Sequence, residues 1–271
     1  MADIRKLETA PQMDDYAPAK VTYMGNVIEV VTRQKNSGGC PCIKLDADHY
    51  IDTRTGEVME YNHIENRSES TRSIRNTLAR IRALVNTNVS APANVRWVTL
   101  TYAENMTDTE RLYSDFNVFW KRFRRFCNKC KFNAPEYIIV VEPQARGAWH
   151  CHCLLIWDMK RPYIENKAFA EMWGQGFVKI TSVRDCDNLG AYLSAYLGDV
   201  PLDDLKDGEK PRGEIKEVNG KRYVKGGRLH LYPSGMNIIR TSRGIKRPSQ
   251  ELVAPEAACA EKIITGCYFH S

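Results

Sequence analysis

The chain has 271 residues, of which 43% are hydrophobic, 27% charged and 10% aromatic, so it can bury a core and wholesale disorder is excluded. A formal charge of +6 and a pI near 8.8 suit a polyanionic partner without requiring one. The opening Met1-Ala-Asp-Ile-Arg-Lys-Leu-Glu8 is charged and no apolar run reaches bilayer length. No membrane association is therefore expected, and the nine cysteines are expected as reduced thiols in a cytoplasm.

Residues 1–20 are polar, hold Pro11 and Pro18, and read as a loosely ordered leader. Val21 to Val31 has β character with a turn at Gly25-Asn26, and Tyr50 to Tyr61 reads as a hairpin turning at Thr55-Gly56. From Ser70 to Asn86 the pattern is helical, with Ile74, Leu78, Ile81 and Val85 on one face. Arg72, Arg75, Arg80 and Arg82 lie between them, as a solvated face or as phosphate contacts. Ser90-Ala-Pro-Ala-Asn94 marks a boundary, which makes residues 1–94 an accessory region.

Val95 to Tyr102 is a strand, and Asn105 with Thr107-Asp108 opens a helix. Its apolar positions are Leu112, Phe116, Phe119, Trp120, Phe123 and Phe126, read as core rather than as a base-stacking platform. Lys121, Arg122, Arg124 and Arg125 form a basic rim. Tyr137 to Glu142 and Trp149 to Trp157 are then two β-rich runs around a short loop holding Pro143, Arg146 and Gly147, the signature of a hairpin.

Strand side chains alternate, so His150 and His152 share one face and Cys151 and Cys153 the other. Glu142 ends the facing strand, within reach of both imidazoles. Two histidines and one carboxylate leave coordination positions open for water or a phosphate oxygen. The plainer alternative is a half-exposed strand whose histidines hold nothing. Cys40, Cys42, Cys127 and Cys130 could together bind zinc, although no turn signature frames the second pair.

Tyr163 to Trp173 reads as a short helix and Gly174 to Val183 as a turn and strand. Asp185-Cys-Asp-Asn188 then caps a helix from Leu189 to Leu197. Strand, helix, hairpin, helix, strand, helix predicts an α+β fold: an antiparallel β-sheet with helices on its faces, flanked by N-terminal and C-terminal extensions. Residues 201–271 form the second extension, expected to pack on the 95–200 domain. It holds a hairpin at Asn219-Gly220 and a basic run in which Arg228, Arg240, Arg243, Lys246 and Arg247 have no nearby acid. Such charge needs solvent or an anion, for which a nucleic-acid backbone is the natural choice. The tail from Ser249 reads as a short helix and a strand-like end.

Tyr192 and Tyr196 stand four apart, one helical turn from each other on one face. A core-facing helix has the same pattern. A tyrosine with an ordinary pKa of ~10 attacks phosphorus only if a cation offsets the developing charge. Such attack gives a 5′-phosphotyrosine link and a free 3′-hydroxyl.

The run Glu142-Pro-Gln-Ala-Arg-Gly-Ala-Trp-His-Cys-His152, followed by Gly190-Ala-Tyr-Leu-Ser-Ala-Tyr196, resembles the HUH endonuclease superfamily. Within it the chain is most similar to rolling-circle replication initiators of bacterial plasmids, phages and integrative elements, with Trp97-Val-Thr-Leu-Thr-Tyr102 similar to their first motif. The resemblance covers about residues 95–200. It implies Mg²⁺ or Mn²⁺ held by His150, His152 and Glu142, with Tyr192 and Tyr196 nicking single-stranded origin DNA. Many members carry a lysine just after a tyrosine, whereas this chain has Ala195 and Asp199; Arg146 is a candidate for the missing cation. No Gly-rich nucleotide loop is present, so a host helicase and replication machinery are the expected partners. Relaxases and single-strand transposases share the chemistry, and a non-catalytic DNA-binding regulator is the alternative from another class.

Overall fold

The computed structural model describes residues 4–7, 18–31, 41–61, 71–144, 147–181, 183, 200–201, 215–218, 221–224, 231–233, 235–254 and 267–270. The chain divides into two compact units, one of Met1–Met24, Ile28–His63 and Pro248–Ser271, the other of Gly25–Val27 and Ile64–Arg247.

The first unit is built of short antiparallel strands. β1 (Ile4–Leu7) pairs with Cys267–His270, and β2 (Ala19–Met24) lies between Ser249–Val253 and β3 (Val27–Val31). A strand thus stands within the leader that composition alone suggests is loose. β4 (Cys42–Lys44), β5 (His49–Asp52) and β6 (Val58–Glu60) form a separate meander, whose expected turn has Gly56 at φ 74°.

The second unit holds the larger core. It begins with α1 (Thr71–Asn88), then β7 (Val95–Thr101), α2 (Thr109–Lys129), β8 (Glu136–Pro143), β9 (Trp149–Ile156), α3 (Asn166–Trp173) and β10 (Val178–Thr181). β11 (Val200–Pro201), β12 (Ile215–Val218) and β13 (Lys221–Val224) make a small sheet, and β14 (Ile239–Thr241) completes a larger one. That larger sheet has five strands in the order β10-β7-β9-β8-β14, every pair antiparallel. With helices and antiparallel sheets combined, the fold is α+β, as the element order predicts.

Register assigns the two faces. Val98, Cys153 and Ile139 stand side by side, as do Leu100, Cys151 and Val141, and all are buried. α2 covers this face: Phe116 and Trp120 meet Tyr137 edge-on, and Phe123 stacks on Phe169 of α3. Asp108 starts α2 by accepting from the backbone N–H groups of Glu110 and Arg111, satisfying donors that the helix itself cannot. Gly174 ends α3 at φ 68°, a conformation that favours glycine.

The opposite face carries Trp97, Leu154 and Ile138 in one row, Thr99, His152 and Val140 in the next, then Thr101, His150 and Glu142. Ile81 and Val85 of α1 cover the first of these rows and line a small cavity with Trp97, Ile138, Val140, His152 and Leu154. The α1 turn nearest the histidines is therefore apolar, and the Glu142 end of the face is left to polar side chains.

Phe119 lies fully buried between α2 and the sheet, against Phe116, Phe123 and Trp173. Phe119→Ala is expected to cost about 3–5 kcal/mol in urea unfolding, from lost burial plus the cavity left behind. A surface control such as Lys121→Ala should stay within about 0.5 kcal/mol.

Candidate metal centre

The hairpin of β8 and β9 sets Glu142 directly across from His150, and Val140 across from His152. The two histidines are two residues apart on one strand, so both turn to the side of Glu142. The connecting loop closes through Gln144 N–H to the Ala148 carbonyl at 2.7 Å and Gly147 N–H to the Gln144 carbonyl at 2.8 Å. Gly147 adopts φ 87°, where an L side chain would be strained. Trp149 fixes the start of β9 by donating its indole N–H to the Thr107 carbonyl at 2.9 Å, just before α2.

Glu142 Oε2 lies 2.9 Å from His150 Nε2 and 2.6 Å from His152 Nε2. The Glu142 side chain is 3% exposed and the imidazoles 13% and 15%. One ligand atom from each residue lies within 4.8 Å of the others, and among the described residues this is the one group of three potential ligands that meets that test. Burial lowers the His150 pKa to about 4, and burial followed by the neighbouring His150 lowers that of His152 well below its usual value. Neutral imidazole is the form that binds a metal, so burial favours the coordinating state. Two imidazole nitrogens with one carboxylate oxygen make a borderline-hard donor set suited to a divalent cation. The residues fit a metal, and they do not say which.

The cysteines between the histidines point the other way. Cys151 and Cys153 are fully buried under α2; burial raises the Cys151 pKa to about 12 and carries that of Cys153 well above its usual value. Cys127 is also buried on α2 and raised to about 11, which keeps it a thiol rather than a zinc-binding thiolate; Cys40 lies outside the described residues.

The remaining candidates divide. Tyr192, Tyr196, Arg146 and Arg228 lie outside the described residues. Arg240 lies opposite Ile139, which places it on the α2 side of the sheet, and its guanidinium stacks on Tyr113 at 3.4 Å from the ring centroid. Arg243 and Lys246 are exposed, and the Lys246 backbone is pinned to Asn88 of α1 by two hydrogen bonds of 2.8 Å. Lys121, Arg122, Arg124 and Arg125 are exposed on α2, across the sheet from the histidines.

Sequence reasoning passed over Trp97, Thr99 and Lys179. Thr99 stands directly opposite His152, and Lys179 lies across from Thr99 on the edge strand, exposed. The alternation of Val95 to Thr101 against that of Trp149 to Ile156 carries the signal, but only once the two strands are known to pair.

Glu142→Gln keeps shape and removes charge, and is expected to weaken Mn²⁺ binding at least ~10-fold by calorimetry. Between its unfolded pKa of 6.5 and its folded pKa of about 4, His150 is protonated when unfolded and neutral when folded. The metal-free protein therefore keeps this stabilisation above pH 6.5 and loses it as pH falls toward 4. The expected slope is up to ~1.4 kcal/mol per pH unit in urea midpoints, reduced in His150→Gln.

Residues 95–200 match the model of a family of replication-associated proteins of the ORF2 type, and the histidine hairpin lies inside the matched segment. No curated protein and no solved structure matches the chain. Over residues 95–200, the chain belongs to this replication-associated protein family.

Proposed function

We propose that the protein initiates rolling-circle replication by nicking single-stranded origin DNA through metal-assisted tyrosine attack, as an HUH-type endonuclease and strand transferase. The convergence of Glu142, His150 and His152 within 4.8 Å, inside a segment that matches a replication-associated family, carries this reading. The three residues would hold Mg²⁺ or Mn²⁺, which when bound withdraws charge from the scissile phosphate and makes phosphorus more electrophilic.

Tyr192 and Tyr196 are the proposed nucleophiles. A tyrosine oxygen loses its proton and bonds to phosphorus; the phosphorus bond to the 3′-oxygen breaks, and that oxygen gains a proton. The phosphodiester energy remains in the 5′-phosphotyrosine, so the reverse attack by a 3′-hydroxyl rejoins strands without a nucleotide. A second tyrosine one turn away permits another attack while the first is loaded, which suits continuous rounds of replication. Arg146 is a proposed phosphate contact near the hairpin, and Arg228, Arg243 and Lys246 are proposed contacts along the strand. Arg240 joins them only if its guanidinium leaves Tyr113. Strand separation falls to a host helicase and the host replication machinery.

Covalent trapping tests the reading. The full chain is incubated with Mn²⁺ and single-stranded oligonucleotides tiling its native origin region, then resolved on a denaturing gel. A shifted protein–DNA band is expected, lost with chelator and lost in the Tyr192→Phe/Tyr196→Phe double variant. DNA binding with no covalent band across the whole region would instead establish a non-catalytic DNA-binding regulator.

A further inference from the structure

Three polar groups close a triangle beneath the metal face. Trp97 Nε1 lies 3.3 Å from Thr99 Oγ1 and 3.3 Å from His152 Nδ1, and Thr99 Oγ1 lies 3.2 Å from the same Nδ1. The Trp97 ring also meets the His152 ring edge-on at 5.3 Å. Thr99 and His152 are cross-strand partners on β7 and β9, so the backbone ladder holds them together.

The three groups differ in what they can do. An indole N–H only donates, a hydroxyl donates and accepts, and the Nδ1 of a neutral imidazole does whichever its tautomer allows. An ionised Glu142 carboxylate only accepts, so His152 at 2.6 Å must present Nε2–H to it. Nδ1 is then a lone pair, and it receives the donors of Trp97 and Thr99. A cation held by His152 Nε2 requires the other tautomer, with the proton on Nδ1. Trp97 cannot accept that proton, whereas Thr99 Oγ1 can, and Trp97 Nε1–H can donate to the same oxygen.

We propose that Thr99 is the positioning residue that allows His152 to exchange tautomer between the metal-free and metal-bound states. The hydroxyl turns from donor to acceptor; one proton leaves Nε2, one arrives at Nδ1, and the ring stays neutral. Trp97 satisfies Nδ1 in the first state and the hydroxyl in the second. Thr101 has no such role toward His150, because its hydroxyl donates to the Phe177 carbonyl at 2.7 Å. The asymmetry assigns tautomer control to one ligand of the pair. The proposal rests on the metal-site reading but not on nicking, so DNA plays no part in its test.

The test compares wild type, Thr99→Val and Thr99→Ser as full chains, by Mn²⁺ calorimetry and by ¹⁵N-imidazole spectra with and without saturating Mg²⁺. Wild-type His152 is expected as the Nε2–H tautomer without metal and as Nδ1–H with it. Thr99→Val should keep the metal-free spectrum and raise the Mn²⁺ Kd roughly 10- to 100-fold. Thr99→Ser, which restores the hydroxyl, should bind within about threefold of wild type, on the scale of such outer-shell effects. Equal Mn²⁺ affinity in wild type and Thr99→Val, or one His152 tautomer in both states, overturns the proposal and leaves the metal site standing. A wild-type chain that takes up no Mn²⁺ overturns both, whatever the covalent-trapping result.

Discussion

The pairing of Glu142 with His150 across the β8–β9 hairpin is the constraint on which the site depends. Once those two residues are partners, the two-residue period of a strand brings His152 to the same carboxylate oxygen and turns Cys151 and Cys153 to the opposite side. The same pairing divides the larger sheet into an apolar face under α2 and a face that is apolar at one end and polar at the other. Loop closure at Gln144 and Gly147 and the Trp149 anchor before α2 both act to hold this one register.

Burial gives the arrangement its chemical character. A carboxylate beside two imidazoles in open solvent would favour protonated histidines. Here desolvation prevails, and both rings are kept neutral by the fold itself. The donors are thus ready for a cation without a shift in charge. The outer hydrogen bonds of one ring run to Trp97 and Thr99, which β7 supplies from the same cross-strand rows.

Much of this was legible in the sequence, because the determining patterns are local. The period of two in Trp149 to Ile156 separated histidines from cysteines, and the spacing of Leu112, Phe116, Phe119 and Phe123 specified the buried face of α2. Asp108 announced where that helix starts. What escaped sequence reading depends on distant partners. Ile4–Leu7 is too short and polar to be recognised as a strand without Cys267–His270 beside it. Thr99 is an ordinary strand residue until His152 is set opposite. Arg240 reads as an unbalanced charge because the Tyr113 ring that receives it lies more than a hundred positions earlier.

The alternation of β9 also bears on which metals such a hairpin can discriminate. Its two faces carry two different ligand chemistries at one spacing: imidazoles toward Glu142, and thiols toward α2. A one-residue insertion ahead of His150 that slipped β9 in register would exchange them, presenting sulfur where nitrogen now stands. Thiolates would turn a site suited to magnesium or manganese into one that prefers zinc or copper(I). The core under α2 would at the same moment have to accept two imidazoles in place of two small thiols. Hydrophobic packing on the far side of the sheet therefore guards the metal preference of the near side.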